Sequence, residues 1–395
     1  MPRRALGLAS FWRLPQLADS PSFWMYIVGF LLVLGPLITI HEFGHYLVGR
    51  LFGVQAEAFS IGFGQELAGW TDRRGTRWKL SALPLGGYVQ FKGDMNPASI
   101  PDTDKLATIP EHERAGSFHF APLWQRALIV FAGPATNVLV ALAIFAGFAL
   151  AFGKAEPAGP VDPTVVARFA EDSAARDAGV RVGDDIIAID GEAMESFGDI
   201  LRAVAIYPDK RVTLTVERGG SELALPLTIA SAVEEDSFGN RSKVGRLGIY
   251  SGVQEYRSVP VGPGEAVALA VDQSIGMTRM MVTGLVQIVT GERSVKELGG
   301  PIKIAKYSGE QFSLGAERFV WFVALISLNL AFINLLPIPA LDGGHLAFYA
   351  AEAVRRKPVG PRGQELAFRT GIALVLALMV FVTINDLVSL PIFGR

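Results

Sequence analysis

The stretch SFWMYIVGFLLVLGPLITIHEFGH (residues 22–45) joins an uncharged apolar run directly to a cluster of ionisable side chains. The run up to Ile40 is long enough to cross the hydrocarbon core of a bilayer as a helix. Further long apolar runs follow, and hydrophobic residues make up 50% of the chain. The sequence therefore predicts a polytopic α-helical membrane protein with four spanning helices. We place these spans at about 22–49, 127–153, 319–341 and 370–390.

The composition excludes several classes of function. The chain has no cysteine, so disulfides, thiol catalysis and cysteine-ligated zinc are excluded. A formal net charge of -2 provides no basic field, so no nucleic-acid partner is expected. Three arginines precede the first apolar run, as in a signal peptide, but no small-residue cleavage site follows it. We therefore interpret this run as the first span.

Positive charge is distributed unevenly between the segments that connect the spans. Lysine and arginine are abundant between the first two spans and again between the last two. Loops of this kind face the cytoplasm. With four spans, both termini and the 154–318 segment then lie outside the cytoplasm, although the N-terminal arginines favour the opposite orientation. A fifth span over 264–290 is the less favoured alternative, because charges interrupt its helical apolar pattern.

The chain divides into four regions by composition. An N-terminal membrane region (1–155) carries two spans and a β-rich loop on the cytoplasmic side at about 56–93, and a C-terminal membrane region (319–395) carries the other two spans. Between them, strand-like alternation predicts a PDZ-like domain at 158–232, outside the cytoplasm. We interpret the segment 233–318 as a connector with an amphipathic helix that lies on the membrane surface or against another domain.

The loop between the first two spans contains two strand-like stretches that are rich in glycine. AFSIGFGQEL (58–67) and RWKLSALPLGGYVQFKG (77–93) flank the charged turn TDRRGTR. This pattern resembles a membrane-associated β-hairpin or small sheet, although the residues by themselves favour a plain cytoplasmic β-loop.

The motif HEFGH (41–45) carries the chemistry. Residues four apart share one face of a helix, so the imidazoles of His41 and His45 can reach one ion. Zinc binds imidazole nitrogen readily and keeps a position open for water at catalytic sites. Glu42 lies next to that water as a candidate general base. The remaining histidines are interpreted as non-ligands: His112, His119 and His345.

A third ligand is predicted at the end of the third span. The stretch NLLPIPALDGGH (334–345) contains Asp342, the first charge after the uncharged run 319–341. Its carboxylate would complete a set of two histidines and one carboxylate. Pro337 and Pro339 stop regular helix and free backbone groups, which at membrane depth requires a buried or water-lined cavity. The alternative is that Asp342 only caps the span.

HEFGH at the end of a first span and NLLPIPALDGGH at the end of a third resemble the site-2 protease family, and most closely its bacterial RseP-type branch. FAGPATN (131–137), GGPIKIAK (299–306) and the PDZ-like insert are also similar to that branch. The best-known members carry two tandem PDZ domains, whereas this sequence has space for one.

The resemblance implies a zinc-dependent protease that cuts transmembrane helices. One Zn²⁺ per chain would be bound by His41, His45 and Asp342, with Glu42 activating water. Asn334 would hold the substrate backbone, since an amide can both donate and accept hydrogen bonds. The other residues implied to contact substrate are Asn137 in the second span and Gly62, Gly86 and Gly87 in the β-region.

The resemblance also implies partners and a location. Expected partners are single-span substrates, such as anti-sigma-factor-like regulators and remnant signal peptides, together with the lipid bilayer. For the PDZ-like domain, a peptide ligand bound by strand addition is weighed against a rigid steric plug without a ligand, and the plug is favoured because no residue shows that the groove is used. The expected location is a bacterial inner membrane, with the active site toward the cytoplasm and the PDZ-like domain and both termini in the periplasm. Two other functions are weighed: a membrane-anchored quality-control zincin, which would use a downstream glutamate ligand, and a non-catalytic PDZ scaffold.

Overall fold

The computed structural model describes residues 21–93, 114–157, 164–235, 241–252, 256–357 and 359–388. The N-terminal arginines, His112, the linker at the start of the PDZ-like domain and the predicted end of the fourth span at 390 lie outside these ranges. The helices are, in chain order, α1 (Phe23–Leu51), α2 (Leu123–Phe152), α3 (Ala174–Asp177), α4 (Phe197–Ala205), α5 (Pro263–Val289), α6 (Pro301–Ser313), α7 (Ala316–Leu335), α8 (Asp342–Arg355) and α9 (Pro361–Val388).

Four helices of the described chain are long and apolar enough to span a membrane: α1, α2, α7 and the greater part of α9. This confirms the predicted four spans, and α5 is not among the candidates. Two bounds differ from the prediction by more than five residues. α7 ends at Leu335 rather than at 341, because Pro337 and Pro339 lack the N–H groups that a longer helix needs. α9 begins at Pro361 rather than at 370, since proline fits a first helical turn.

Glycines bring the spanning helices into close contact. A Cβ atom on Gly44 of α1 would lie 2.6 Å from the carbonyl oxygen of Ala132 in α2. A Cβ atom on Gly29 would lie 2.7 Å from the carbonyl oxygen of Ser308 in α6. Small residues let helix backbones approach closely in membranes, where van der Waals packing drives association. α1 is therefore packed tightly against both α2 and α6.

The loop between α1 and α2 forms two long antiparallel strands, β1 (Ala56–Thr71) and β2 (Arg77–Phe91), as the hairpin prediction expects. Phe59 of β1 pairs with Val89 of β2, and both are buried in a core with Tyr46 of α1. Nearer the turn the strands leave this core and carry exposed apolar side chains, namely Leu67, Trp70, Leu80 and Leu83. The hairpin thus has one end packed on α1 and an apolar end of the kind that contacts lipid or protein.

The remaining strands lie between α2 and α5. They are β3 (Lys154–Pro157), β4 (Val166–Phe169), β5 (Asp185–Ile189), β6 (Glu192–Ala193), β7 (Arg211–Arg218), β8 (Ser221–Thr228), β9 (Ala230–Glu235), β10 (Arg241–Arg246), β11 (Ile249–Ser251) and β12 (Tyr256–Val259). One sheet has the order β6-β5-β7-β8, and the pairs β4–β11, β9–β10 and β3–β12 complete the pairing.

Strands β4, β5, β7, β8 and β11 and the helices α3 and α4 share one hydrophobic core and form a β-rich unit. Ile186 of β5, Leu214 of β7 and Val204 of α4 are buried in it. The combination of short strands with two helices agrees with the predicted PDZ-like fold. Leu247 belongs to the same core, and β11 pairs with β4. The unit therefore extends past the predicted boundary at 232, because its first strand needs a partner from the segment interpreted as connector.

The connector to α7 contains α5 and α6. α5 covers the segment predicted as an amphipathic helix, and its Ala270 is buried beside Phe145 of α2 and Leu328 of α7. At the start of α6, the backbone N–H groups of Gly300 and Lys303 donate hydrogen bonds of 3.1 and 3.0 Å to the carboxylate of the buried Asp386 in α9. An anion satisfies the unpaired N–H groups at a helix N-terminus, so Asp386 joins α9 to α6.

Candidate metal centre

The three side chains predicted as ligands converge between α1 and α8. His41 and His45 lie one turn apart on α1, and both are buried. Their Nε2 atoms are 3.2 Å apart. The carboxylate of Asp342 reaches both imidazoles, with Oδ2 lying 3.1 Å from Nε2 of His41 and Oδ1 lying 3.6 Å from Nε2 of His45. The spacing read from the sequence therefore places these groups on one side of α1, facing the first residue of α8.

The donor set of this group fits a metal cation. One ligand atom from each of the three residues lies within 4.8 Å of the other two. Two imidazole nitrogens facing each other beside a carboxylate share one space that a cation can occupy. Two histidines and one carboxylate are a three-ligand set that catalytic zinc sites use, with a further position left for water. His119 and His345 are not part of the group.

The loop after α7 places Asp342 at the N-terminus of α8. Ala340 has a φ of +95°, in the left-handed region that favours glycine. A Cβ atom on Gly344 would lie 2.7 Å from the carbonyl carbon of Ile338, so the start of α8 packs directly on the preceding loop. A non-glycine residue in this conformation is held there only by its surroundings. The tight packing of the loop therefore holds the Asp342 carboxylate opposite the histidines.

Helix α2 supplies the groups behind both imidazoles. Nδ1 of His45 donates a hydrogen bond of 2.8 Å to the carbonyl oxygen of Ile129, and Nδ1 of His41 lies 3.3 Å from Nδ2 of Asn137. Between these positions, a Cβ atom on Gly133 would lie 2.8 Å from Nε2 of His41 and closer still to Nε2 of His45. The missing side chain at Gly133 leaves the space that the two imidazoles fill.

A cavity of about 380 Å³ opens beside the ligand group. Glu42 lines it, and the backbone N–H of Val89 in β2 donates a hydrogen bond of 3.1 Å to Oε2 of Glu42. A water molecule in the liquid occupies about 30 Å³, so the cavity has room for several waters. The hairpin thus holds the Glu42 carboxylate next to the ligand group.

The residues predicted to contact substrate fall into two sets. Asn334, Asn137 and Gly87 line the cavity. Of these, Asn137 is 0% exposed, and its amide faces the His41 ring. Gly62 and Gly86 do not line this cavity. Their φ values of 89° and 114° show that they shape the backbone of the hairpin.

Several contributors to the centre could not be identified from the sequence. The carbonyl of Ile129 and the N–H of Val89 are backbone groups, and backbone groups carry no residue-type signal. Gly133 lies in the FAGPATN stretch, and the small residues of that stretch were the available sequence signal for close packing at this position. His345, interpreted as a non-ligand, lines the cavity, and its ring centroid lies 4.8 Å from that of Phe368. The sequence signal for a position of His345 at the cavity was its spacing of one helical turn from Asp342.

Comparisons with known proteins agree with this geometry. The profile of Peptidase family M50 matches residues 29–378. A protein of Agrobacterium fabrum that is provisionally named a zinc metalloprotease is 46% identical over 371 residues, which cover 92% of this chain and 96% of the relative. A Rhizobium meliloti protein with the same provisional name is 45% identical over 360 residues, with coverages of 91% and 95%. Metalloprotease MmpA of Caulobacter vibrioides is 35% identical over 399 residues, with coverages of 94% and 97%.

Among solved structures, the PDZ domain of an SdrC-like protein from Listeria monocytogenes matches 24% of this chain and 92% of its own length, at 20% identity and a TM-score of 0.19. The donor set of the ligand group and the names of the relatives both indicate zinc as the metal.

Proposed function

Because this chain belongs to Peptidase family M50 and is a zinc metalloprotease with membrane-spanning helices, we propose that it hydrolyses peptide bonds within the membrane-spanning segments of other proteins. One observation carries this proposal: both histidines of the ligand group lie on the spanning helix α1 and contact the spanning helix α2, and no member of the group belongs to the β-rich unit. The presence of the complete His41, His45 and Asp342 set also disfavours a non-catalytic scaffold, and the third ligand is an aspartate rather than the glutamate of the quality-control alternative.

The depth of the group in the bilayer follows from its position on α1. His41 lies 18 residues after the first residue of α1 and ten before the last. At about 1.5 Å per residue, it is about 27 Å from one end of the helix and about 15 Å from the other. The hydrocarbon core is about 30 Å thick, so α1 is longer than the core. These lengths support a position of the group inside the hydrocarbon region, nearer the end of α1 that carries Arg50.

The cleavage chemistry assigns separate tasks to the residues of the cavity. Zinc, when bound by His41, His45 and Asp342, acidifies a water molecule and polarises a carbonyl group. The Glu42 carboxylate, held by the N–H of Val89, is placed to take a proton from the attacking water. It can then deliver that proton to the amine that leaves. Water reaches the reaction through the cavity, because the hydrocarbon around it supplies none.

Strand β2 supports the presentation of the substrate as an extended segment. A transmembrane helix hides its carbonyl groups in its own hydrogen bonds, so it must unwind before it is cut. Backbone groups alternate in direction along a strand, so the Gly87 backbone faces the same side as the Val89 N–H, which points to Glu42. An unwound substrate can pair with this side of β2. Asn334, across the cavity at the end of α7, offers an amide to the same backbone.

We place the protein in a bacterial inner membrane, with the site toward the cytoplasm and the β-rich unit and both termini in the periplasm. The basis is the excess of lysine and arginine between the first two and the last two spans. Proposed substrates are single-span proteins, such as anti-sigma-factor-like regulators and remnant signal peptides, and the β-rich unit would take a peptide ligand by strand addition.

The test compares two reporters that share one target sequence, placed in a membrane span in the first and in a soluble loop in the second. Each reporter is incubated with the purified full-length wild type, with Glu42→Gln, or with Glu365→Gln. The last variant makes the same chemical change at an exposed position of α9. Zinc content is measured for each protein, and the cut position is determined by mass spectrometry.

We expect the wild type and Glu365→Gln to cut the span reporter within its apolar segment. Glu42→Gln should bind zinc but cut at least about 100-fold more slowly, the range lost with a general base. Cleavage of the soluble reporter alone would support the quality-control zincin instead. If the zinc-loaded wild type cuts neither reporter across a panel of pre-trimmed single-span substrates, the proteolytic function is refuted.

A further inference from the structure

We propose that Asn137 is a positioning residue for the metal centre: its amide oxygen accepts a hydrogen bond from Nδ1–H of His41 and so presents Nε2 of that ring to zinc. This inference rests on the proposed ligand role of His41. It assigns to Asn137 a role different from the substrate contact that the family resemblance implies.

The contact between the two side chains is buried. Asn137 is 0% exposed and His41 is 6% exposed. Nδ2 of Asn137 lies 3.3 Å from Nδ1 of His41, while Nε2 of the same ring lies 3.1 Å from Asp342. The two nitrogens of the His41 ring thus have separate tasks, since one faces the ligand group and the other faces only the Asn137 amide among the contacts of the described chain.

The chemistry of imidazole determines which amide atom must face the ring. An imidazole that binds a metal through Nε2 carries its proton on Nδ1, so Nδ1 becomes a donor and needs an acceptor. Oδ1 of Asn137 is buried without a hydrogen-bond partner in the described chain. A half-turn of the amide about its Cβ–Cγ bond brings this oxygen to the position of Nδ2. That arrangement satisfies Oδ1 and fixes the tautomer of His41 for zinc binding.

The second histidine provides an internal comparison. Nδ1 of His45 already donates a hydrogen bond of 2.8 Å to the carbonyl oxygen of Ile129. Ile129 and Asn137 lie eight residues apart on α2, which separates them by about 80° around that helix and keeps both on its side toward α1. One helix therefore supplies one acceptor to each imidazole. Acceptors in this position orient the ring and raise its basicity as a ligand.

The backbone around Asn137 is held independently of its amide. Oγ of Ser327 in α7 donates a hydrogen bond of 2.8 Å to the carbonyl oxygen of Asn137. Ser327 is also 0% exposed. Its replacement by alanine removes a buried hydrogen bond at the same residue without touching the imidazole, which makes Ser327→Ala a matched control.

The experiment measures zinc affinity with the full-length protein in detergent, by competition with a chromophoric chelator. The proteins are the wild type, Asn137→Leu, Asn137→Asp and Ser327→Ala. Leucine has the same branching and the same number of side-chain heavy atoms as asparagine but no acceptor, whereas aspartate keeps an acceptor oxygen. The absorption spectrum of the cobalt-loaded protein reports on ligand geometry separately from activity, and kcat and KM are determined on the span reporter.

We expect Asn137→Leu to bind zinc about 10- to 100-fold more weakly, the loss that follows removal of a group that orients a metal ligand, and to show an altered cobalt spectrum. Asn137→Asp and Ser327→Ala should bind zinc at least as tightly as the wild type. Two results would overturn the proposal. One is wild-type zinc affinity in Asn137→Leu with a raised KM, which indicates substrate contact. The other is an equal loss in Asn137→Asp, which indicates packing alone. Because zinc binding is measured without cleavage, failure of the proteolytic function would not produce either result.

Discussion

Replacing Gly133 with alanine tests whether the metal centre depends on the clearance between α1 and α2. The added Cβ atom would lie 2.8 Å from Nε2 of His41, whereas ordinary van der Waals contact begins at 3.4 Å. To restore ordinary contact, Nε2 of His41 must move by the difference of 0.6 Å, and the ring of His45 must move further. Metal–ligand distances are maintained within about 0.2 Å, so this displacement is about three times the tolerance.

We expect Gly133→Ala to lower zinc affinity by at least about 100-fold, which corresponds to about 2.7 kcal/mol. Cleavage of the span reporter should fall in parallel. The assay is chelator competition with purified protein in detergent, followed by activity at saturating zinc. The control is Gly147→Ala on the same helix, where a Cβ atom would meet nothing within 4 Å.

The control separates steric conflict from backbone effects. Alanine raises helix propensity over glycine by up to about 1 kcal/mol at either position, so Gly147→Ala should keep zinc affinity and gain slightly in thermal stability. If Gly133→Ala binds zinc as tightly as Gly147→Ala, the two imidazoles do not need the space above Gly133, and the packing explanation of the site is refuted.

Two further predictions concern stability. The Arg126 guanidinium of α2 contacts the Glu352 carboxylate of α8 at 3.0 Å, and both side chains are mostly buried. Arg126→Met should lower the unfolding temperature, and a double-mutant cycle with Glu352→Gln should give a coupling free energy of about 1 kcal/mol or more. A coupling free energy near zero would contradict a role of this ion pair in anchoring α8. In the β-rich unit, hydrogen bonds from Arg218 hold the pKa of the buried Asp184 carboxyl below its usual range. The stabilisation from these bonds is therefore complete above the unfolded pKa of about 3.9 and is lost as pH falls through the folded pKa. The protection of the β7 amides against hydrogen exchange, corrected for intrinsic exchange rates, should fall with acidification in the wild type but not in Asp184→Asn, and equal pH dependence in both proteins would exclude this pair as the cause.

The identities of the proposed ligands could be predicted because they depend on local spacing. His41 and His45 are four residues apart on a helix, and that distance alone places both rings on one face. Asp342 was identified because a lone charge after a long apolar run is costly unless it is used. The end of α7 was predicted less well. Length and hydropathy extended the span to 341, whereas the two prolines end the helix at Leu335.

Contacts between distant segments were the least predictable part. The β-rich unit extends past residue 232 because β11 returns to pair with β4, and a pairing across that separation leaves no periodic signal in either strand. Asn137 could be noticed in the second span as a polar residue, but the sequence does not show whether its amide faces a substrate or a histidine.

The sequence by itself determined the four spans, the hairpin and the ligand types, since hydropathy, period and residue chemistry are properties of short segments. Only the tertiary structure decided which groups support the ligands. The carbonyl of Ile129, the N–H of Val89 and the bare backbone of Gly133 act through their positions in space. The physical reason is that backbone groups are identical at every residue, so their role arises only when the packing of α1, α2 and β2 brings them to the imidazoles and to Glu42.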